Sequence, residues 1–130
     1  QAAAEKLQAA GARRCVPLKV SGPFHSALLA GAGEKLAAEL EQVAVHDPKI
    51  PYLCNVEAVP VTDGEKVREL LARQVSGTVR WRECVERMIE SGVDTFIEIG
   101  PGKTLSGFVR KINSDVTMKN VATVEDLNRL

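Results

Sequence analysis

Aromatic residues are scarce in this 130-residue chain: Phe, Trp and Tyr together make up 4%. So few rings offer no platform for stacking bases, which argues against a nucleic-acid surface. Net charge is also lacking, because 17 Lys and Arg balance 17 Asp and Glu. Nothing in that balance calls for DNA, RNA or an anionic membrane. Cysteine is limited to Cys15, Cys54 and Cys84, an odd number with no CxxC spacing. A disulfide framework or a zinc site is therefore not expected, and a reducing compartment fits best. No apolar run approaches the roughly 20 residues of a membrane span, and no signal peptide is visible. Histidine occurs only as His25 and His46, each without a ligand set around it, so no metal site is expected.

What is present suits a globular domain. The chain is 45% apolar and 26% charged, enough to bury a core. It opens on "QAAAEKLQAAG", inside a helical pattern and without Met, as though cut from a longer chain. Gly11 would stop that helix. "RRCVPLKVS" reads as a strand, with Pro17 marking an edge or bulge. Leu28, Leu29, Ala32, Leu36, Leu40 and Val43 form one apolar stripe on a long helix over 26–43. "KIPYLCNV" predicts a buried strand near 51–56, and helices follow in "TDGEKVRELLARQV" and "VRWRECVERMIESG". "VDTFIEIG" has the nearly continuous apolar end that a parallel sheet buries on both faces. "PGKTLSGFVRKI" gives a turn and a helix, "VTMKNV" a last strand, and Thr123 with Asp126 the spacing of a capping box. Strands alternating with helices predict an α/β fold with a largely parallel sheet.

The chemistry concentrates at "VSGPFHSALL". His25 follows an expected strand and a Gly-Pro corner, and a helix begins beyond it. Functional side chains of open α/β sheets collect at such strand ends, and imidazole transfers protons near neutral pH. A structural corner histidine is the competing reading. A base needs a nucleophile, yet no G-x-S-x-G elbow is present, since "TLSGF" has Thr104 at the first glycine. Ser21 and Ser26 are too close in sequence to be convincing partners, and Cys54 at a strand end is a weak candidate. "EIGPGKTL" fails the P-loop pattern because Ile97 stands where its first glycine belongs. A tight strand-to-helix turn is the plain reading, with an anion at the helix start, helped by Lys103, as the other. The pairs Arg13-Arg14 and Arg110-Lys111 read as solvated surface.

"VSGPFHSALL", "LARQV" and "VRWRECVERMIESGVDTFIEIGPGKTLSGFVRKI" together resemble the malonyl-CoA:acyl carrier protein transacylases of bacterial fatty acid synthesis, over essentially the whole chain. The resemblance implies the C-terminal portion of an α/β-hydrolase-like core with a mostly parallel sheet. Residues 1–20 would be the last helix and strand of an inserted ferredoxin-like subdomain, and residues 21–130 the returning part of the large domain. It implies a Ser-His ping-pong transfer of malonyl from coenzyme A to the phosphopantetheine thiol of acyl carrier protein. His25 matches the family's catalytic histidine, and Gln74 the residue whose main-chain carbonyl orients it. Phe24 would line the acyl pocket and select against an α-methyl branch. Arg13, Arg14, Arg110 and Lys111 would meet the acidic carrier protein. Malonyl-CoA is then a substrate, no cofactor is implied, and the location is cytoplasmic. The serine elbow, a carboxylate-binding arginine and the oxyanion hole would lie in a missing N-terminal part, so this chain alone is expected to be inactive. Two alternatives stand beside this reading: a non-catalytic binding or structural half, and an acyltransferase domain of a larger polyketide or fatty acid synthase.

Overall fold

The computed structural model describes residues 2–17 and 19–130. Helix α1 spans Ala2–Ala9, and Gly11 ends it at φ 95°, a left-handed conformation that glycine adopts without penalty. A 3-10 turn at Ala27–Leu29 leads into α2, Ala30–Leu40. Strands β1, Tyr52–Leu53, and β2, Pro60–Val61, follow. Helices α3, Gly64–Gln74, and α4, Trp81–Glu90, precede β3, Thr95–Ile99. Helix α5, Thr104–Ile112, strand β4, Thr117–Val121, and the short α6, Val124–Leu127, complete the order. The architecture is mixed α/β, with one small parallel sheet.

Local chemistry sets these boundaries. Asp63 caps α3, its carboxylate accepting from the Glu65 and Lys66 amides. The Thr123–Asp126 capping box forms as its spacing predicts. Helix α4 buries Cys84 and Val85 and turns its charges outward, where Arg80 pairs with Glu83 and Arg82 with Glu86. A core of Cys54, Val61 and Leu70, flanked by Tyr52, Val56 and Val67, joins the β1–β2 pair to α3. Helix α2 packs on α3 at Gly33, where an added Cβ would lie 3.0 Å from the Ala72 carbonyl oxygen.

Strands β3 and β4 pair in parallel, from Thr95 opposite Thr117 to Ile99 opposite Val121. Helix α5 crosses over between them and contacts both. It covers one face only. Phe96 and Glu98 are half-buried, whereas Thr95, Ile97 and Ile99 are exposed, Ile99 to 82%. The expectation of a strand buried on both faces therefore fails here, because among the described residues no second helical layer covers the outer face.

Three other expectations change. Among the described residues of 12–20 no strand forms, since none of them finds a pairing partner; Leu18 of that segment, like Gln1 of the first helix, lies outside the described residues. The long helix over 26–43 is shorter, starting as a 3-10 turn and ending at Leu40, with Leu28 80% exposed. The strand near 51–56 contracts to Tyr52–Leu53 and pairs antiparallel with Pro60–Val61, so the sheet is parallel only at β3–β4.

Candidate functional site

His25 stands at the corner between an unpaired segment and the 3-10 turn. Its backbone is left-handed, φ 56°, which costs a non-glycine residue about 1–2 kcal/mol. Contacts with the end of α3 hold it there. The His25 amide donates to the Val75 carbonyl at 3.3 Å, and its Nδ1 lies 3.0 Å from the Gln74 carbonyl oxygen. Carbonyls in the last turn of a helix have no partner within the helix. They also carry its partial negative charge, so the end of α3 is a natural acceptor for an imidazole N–H. Ser26 tightens the corner by donating from Oγ to the Pro23 carbonyl at 2.7 Å.

This contact decides the tautomer. A carbonyl only accepts, so Nδ1 must carry a proton, and in the neutral ring Nε2 holds the lone pair. The Gln74 side-chain amide nitrogen, 3.4 Å from the same Nδ1, cannot donate to it in that state. The main-chain oxygen is the orienting group.

Two clefts meet at His25. One, of about 580 Å³, is lined by His25, Asn55, Gln74, Val79, Trp81, Arg82, Leu105 and Phe108. The other, of about 450 Å³, is almost wholly apolar and runs between Phe24, Leu29, Ala32, Leu71 and Val75. Phe24 is 63% exposed and does not pack beneath the corner; its ring edge passes 3.3 Å from where a Gly22 Cβ would stand. Asn55 is fixed by α4: its carbonyl accepts from the Arg80 amide at 2.8 Å, while the Arg80 guanidinium donates to the Glu57 carbonyl at 3.0 Å. The Trp81 indole nitrogen is shielded from solvent and has no hydrogen-bond partner among the described residues.

The remaining candidates separate. Cys54 is 1% exposed, with Sγ accepting from the Glu57 amide at 3.4 Å, so it is closed to any substrate. Burial, with the neighbouring Cys54 and Glu83 charges adding to it, pushes the Cys84 thiol up, as befits a core residue. Cys15 is only half-buried. His46 is an exposed loop residue, and the adjacent Asp47 carboxylate accepts from the Gly64 amide. Arg13, Arg14, Arg110 and Lys111 are all exposed, and no hydrogen bond or ion pair among the described residues links the two pairs.

The turn after β3 carries glycines at φ 133° and 93°, Gly100 and Gly102. Asn120 ties it down, its Nδ2 donating to the Glu98 and Gly102 carbonyls. The start of α5 is already occupied by an anion from the chain itself. The Glu98 carboxylate accepts from the Leu105 amide at 3.1 Å, the Ser106 amide at 2.8 Å and the Ser106 hydroxyl at 2.5 Å. The Ser106 hydroxyl above all, then the Ser106 amide, holds this carboxyl below its ordinary range. The alternative of an external anion here loses its donors.

Sequence patterning brought out His25, and the family resemblance added Gln74 and Phe24, but neither singled out Asn55, Trp81, Leu105, Phe108 or Glu98. A usable signal did exist for one pair. Leu105 and Phe108 share a helix face at i, i+3, and Val109 rather than either of them supplies the buried contact of α5.

No protein-family model matches the chain. The malonyl CoA-acyl carrier protein transacylase of Synechocystis sp. is 40% identical over 119 residues, covering 92% of this chain and 41% of that protein. The crystal structure of the acyl-carrier-protein S-malonyltransferase from Bartonella henselae gives a TM-score of 0.89 at 41% identity, over 98% of this chain and 41% of that one. A malonyl-transacylase solved in complex with its type II PKS acyl-carrier protein gives 0.88 at 38% identity, over 97% and 41%. In sequence and in fold alike, the chain is a relative of the malonyl CoA-acyl carrier protein transacylases, matching them over about two fifths of their length.

Proposed function

We propose that this chain forms the C-terminal part of a malonyl-CoA:acyl carrier protein transacylase and supplies its general base, His25. The observation that carries this reading is the His25 Nδ1 to Gln74 carbonyl contact at 3.0 Å, which in the neutral ring leaves the Nε2 lone pair free on a residue that lines an open cleft. A serine from the rest of the enzyme attacks the malonyl thioester while Nε2 takes its proton. The imidazolium then protonates the departing coenzyme A thiolate, leaving a malonyl-serine ester. In the second half His25 takes the proton of the phosphopantetheine thiol, which attacks the ester, and returns a proton to the serine oxygen. Neither half changes an oxidation state, so no redox cofactor is called for.

Residues 1–20 then close a ferredoxin-like subdomain, and 21–130 are the C-terminal part of an α/β-hydrolase-like domain. Phe24, exposed beside His25 in the apolar cleft, is placed to crowd an α-methyl branch. The exposed Arg13, Arg14, Arg110 and Lys111 would speed encounter with an acidic carrier protein. Without serine, oxyanion hole and carboxylate clamp, the 130 residues alone turn over no substrate. The test is malonyl transfer by the complete enzyme and its His25→Ala variant. A fall of about 10²–10⁴-fold supports the base; transfer at the unmutated rate would make His25 a corner residue and end this reading.

A further inference from the structure

We infer that Glu98 is a positioning residue for acyl selection, acting through Leu105 and Phe108; the inference rests on the transacylase reading. Helix α5 has no cap of its own, because Lys103 before it makes no side-chain cap. Its first turn is held instead by Glu98, reaching across from β3 to the Leu105 and Ser106 amides and the Ser106 hydroxyl. A carboxylate taking three donors from two successive residues fixes how the helix is rotated about its axis as well as where it starts. The face so aimed carries Leu105 and Phe108, both about half exposed, into the cleft shared by His25, Asn55 and Trp81. Val109 and Ser106, further round the helix from Phe108, are buried. Strand β3 therefore aims an apolar wall at the base through one side chain that does not itself line the cleft. Asn120 supports the same turn by holding the Glu98 and Gly102 carbonyls.

The experiment is a double-mutant cycle in the complete enzyme, with Glu98→Gln, Phe108→Ala and the pair, reading kcat/KM for malonyl-CoA and for acetyl-CoA. Glu98→Gln keeps the shape but loses the charge and at least one acceptor contact. The expected result is a change of about tenfold in the malonyl-to-acetyl ratio. In the Phe108→Ala background Glu98→Gln should then change the ratio little further, because both act on one wall. Equal losses on both substrates, or effects that add independently, would overturn the inference and leave the transacylase reading intact. A complete enzyme that transfers no malonyl overturns both.

Discussion

His25 and Gln74, separated by 49 positions, meet through a ring nitrogen and a main-chain oxygen 3.0 Å apart. The acceptor belongs to the backbone, so changing the Gln74 side chain leaves it in place. Gln74→Ala removes only the 3.4 Å amide contact, which the Nδ1–H tautomer does not use. The expected result in the complete enzyme is a loss of kcat/KM under about tenfold, against about 10²–10⁴ for His25→Ala. Equal losses for the two variants would mean that the side chain, not the carbonyl, orients the ring.

Glu98 gives a pH dependence of definite sign. Its folded carboxyl is held below the ordinary glutamate value, chiefly by the Ser106 hydroxyl and then by the Ser106 and Leu105 amides. A lowered pKa stabilises the folded state above the unfolded value, and that contribution is lost as pH falls through the folded one. The amides of Leu105 and Ser106 should therefore lose protection from hydrogen exchange on acidification before those of the α5 interior. Exchange should be mapped residue by residue between pH 6 and pH 3, roughly the span over which glutamate titrates. In Glu98→Gln these two amides should be less protected at pH 6, with no further step between the two limits. An unchanged step in that variant would assign the titration to another group.

Much of this organisation is legible from periodicity. Helices α3, α4 and α5 each bury one apolar stripe in this chain, so a 3.6-residue repeat suffices to find them. Elements whose partners lie elsewhere are less legible. The β-branched segment before His25 is written as a strand, but its described residues find no strand partner, and Val16 and Val20 remain exposed. Strand β2 was hidden for the opposite reason: Pro60–Val61 is too short for a period to show. At the site, His25 stands out by rarity and by its Gly-Pro corner. Glu98 does not, because a strand glutamate shows its role only when a helix start lies beside it.

Gly64 tests the packing of α3 on the loop before β1. A Cβ there would stand 2.7 Å from the Val45 carbonyl oxygen and 2.9 Å from the His46 carbonyl carbon. Both are backbone atoms that cannot rotate away. Alanine gains up to about 1 kcal/mol in helix propensity, while overpacking costs about 1–3 kcal/mol, and any shift to make room would disturb the Gly64 amide's bond to Asp47. Gly64→Ala should lower the urea midpoint of the complete enzyme. A midpoint at or above the unmutated value would mean that the loop yields.

The three thiols should react in a fixed order. Cys54 and Cys84 are enclosed, and burial raises the Cys84 thiol, so little thiolate is available there at neutral pH. Cys15 is half-buried, with Sγ only 3.6 Å from the Ala4 carbonyl on a surface helix. Iodoacetamide at pH 7.5 should label Cys15 first, with the other two following only on unfolding, as peptide mass spectrometry would record. Early labelling of Cys84 would contradict the packing of α4.

The open face of β3 makes the last prediction. A parallel pair covered on one side leaves Ile97 and Ile99 in water, and the corner adds Phe24 and Leu28. Parallel sheets are stable when both faces are covered, and an apolar patch of this kind binds hydrophobic dyes. The 130-residue chain alone should therefore enhance anilinonaphthalene sulfonate fluorescence and melt over a broad range. The complete enzyme should do neither. A sharp cooperative melt of the isolated chain, with no dye binding, would show that α5 and the β1–β2 core suffice without a second layer.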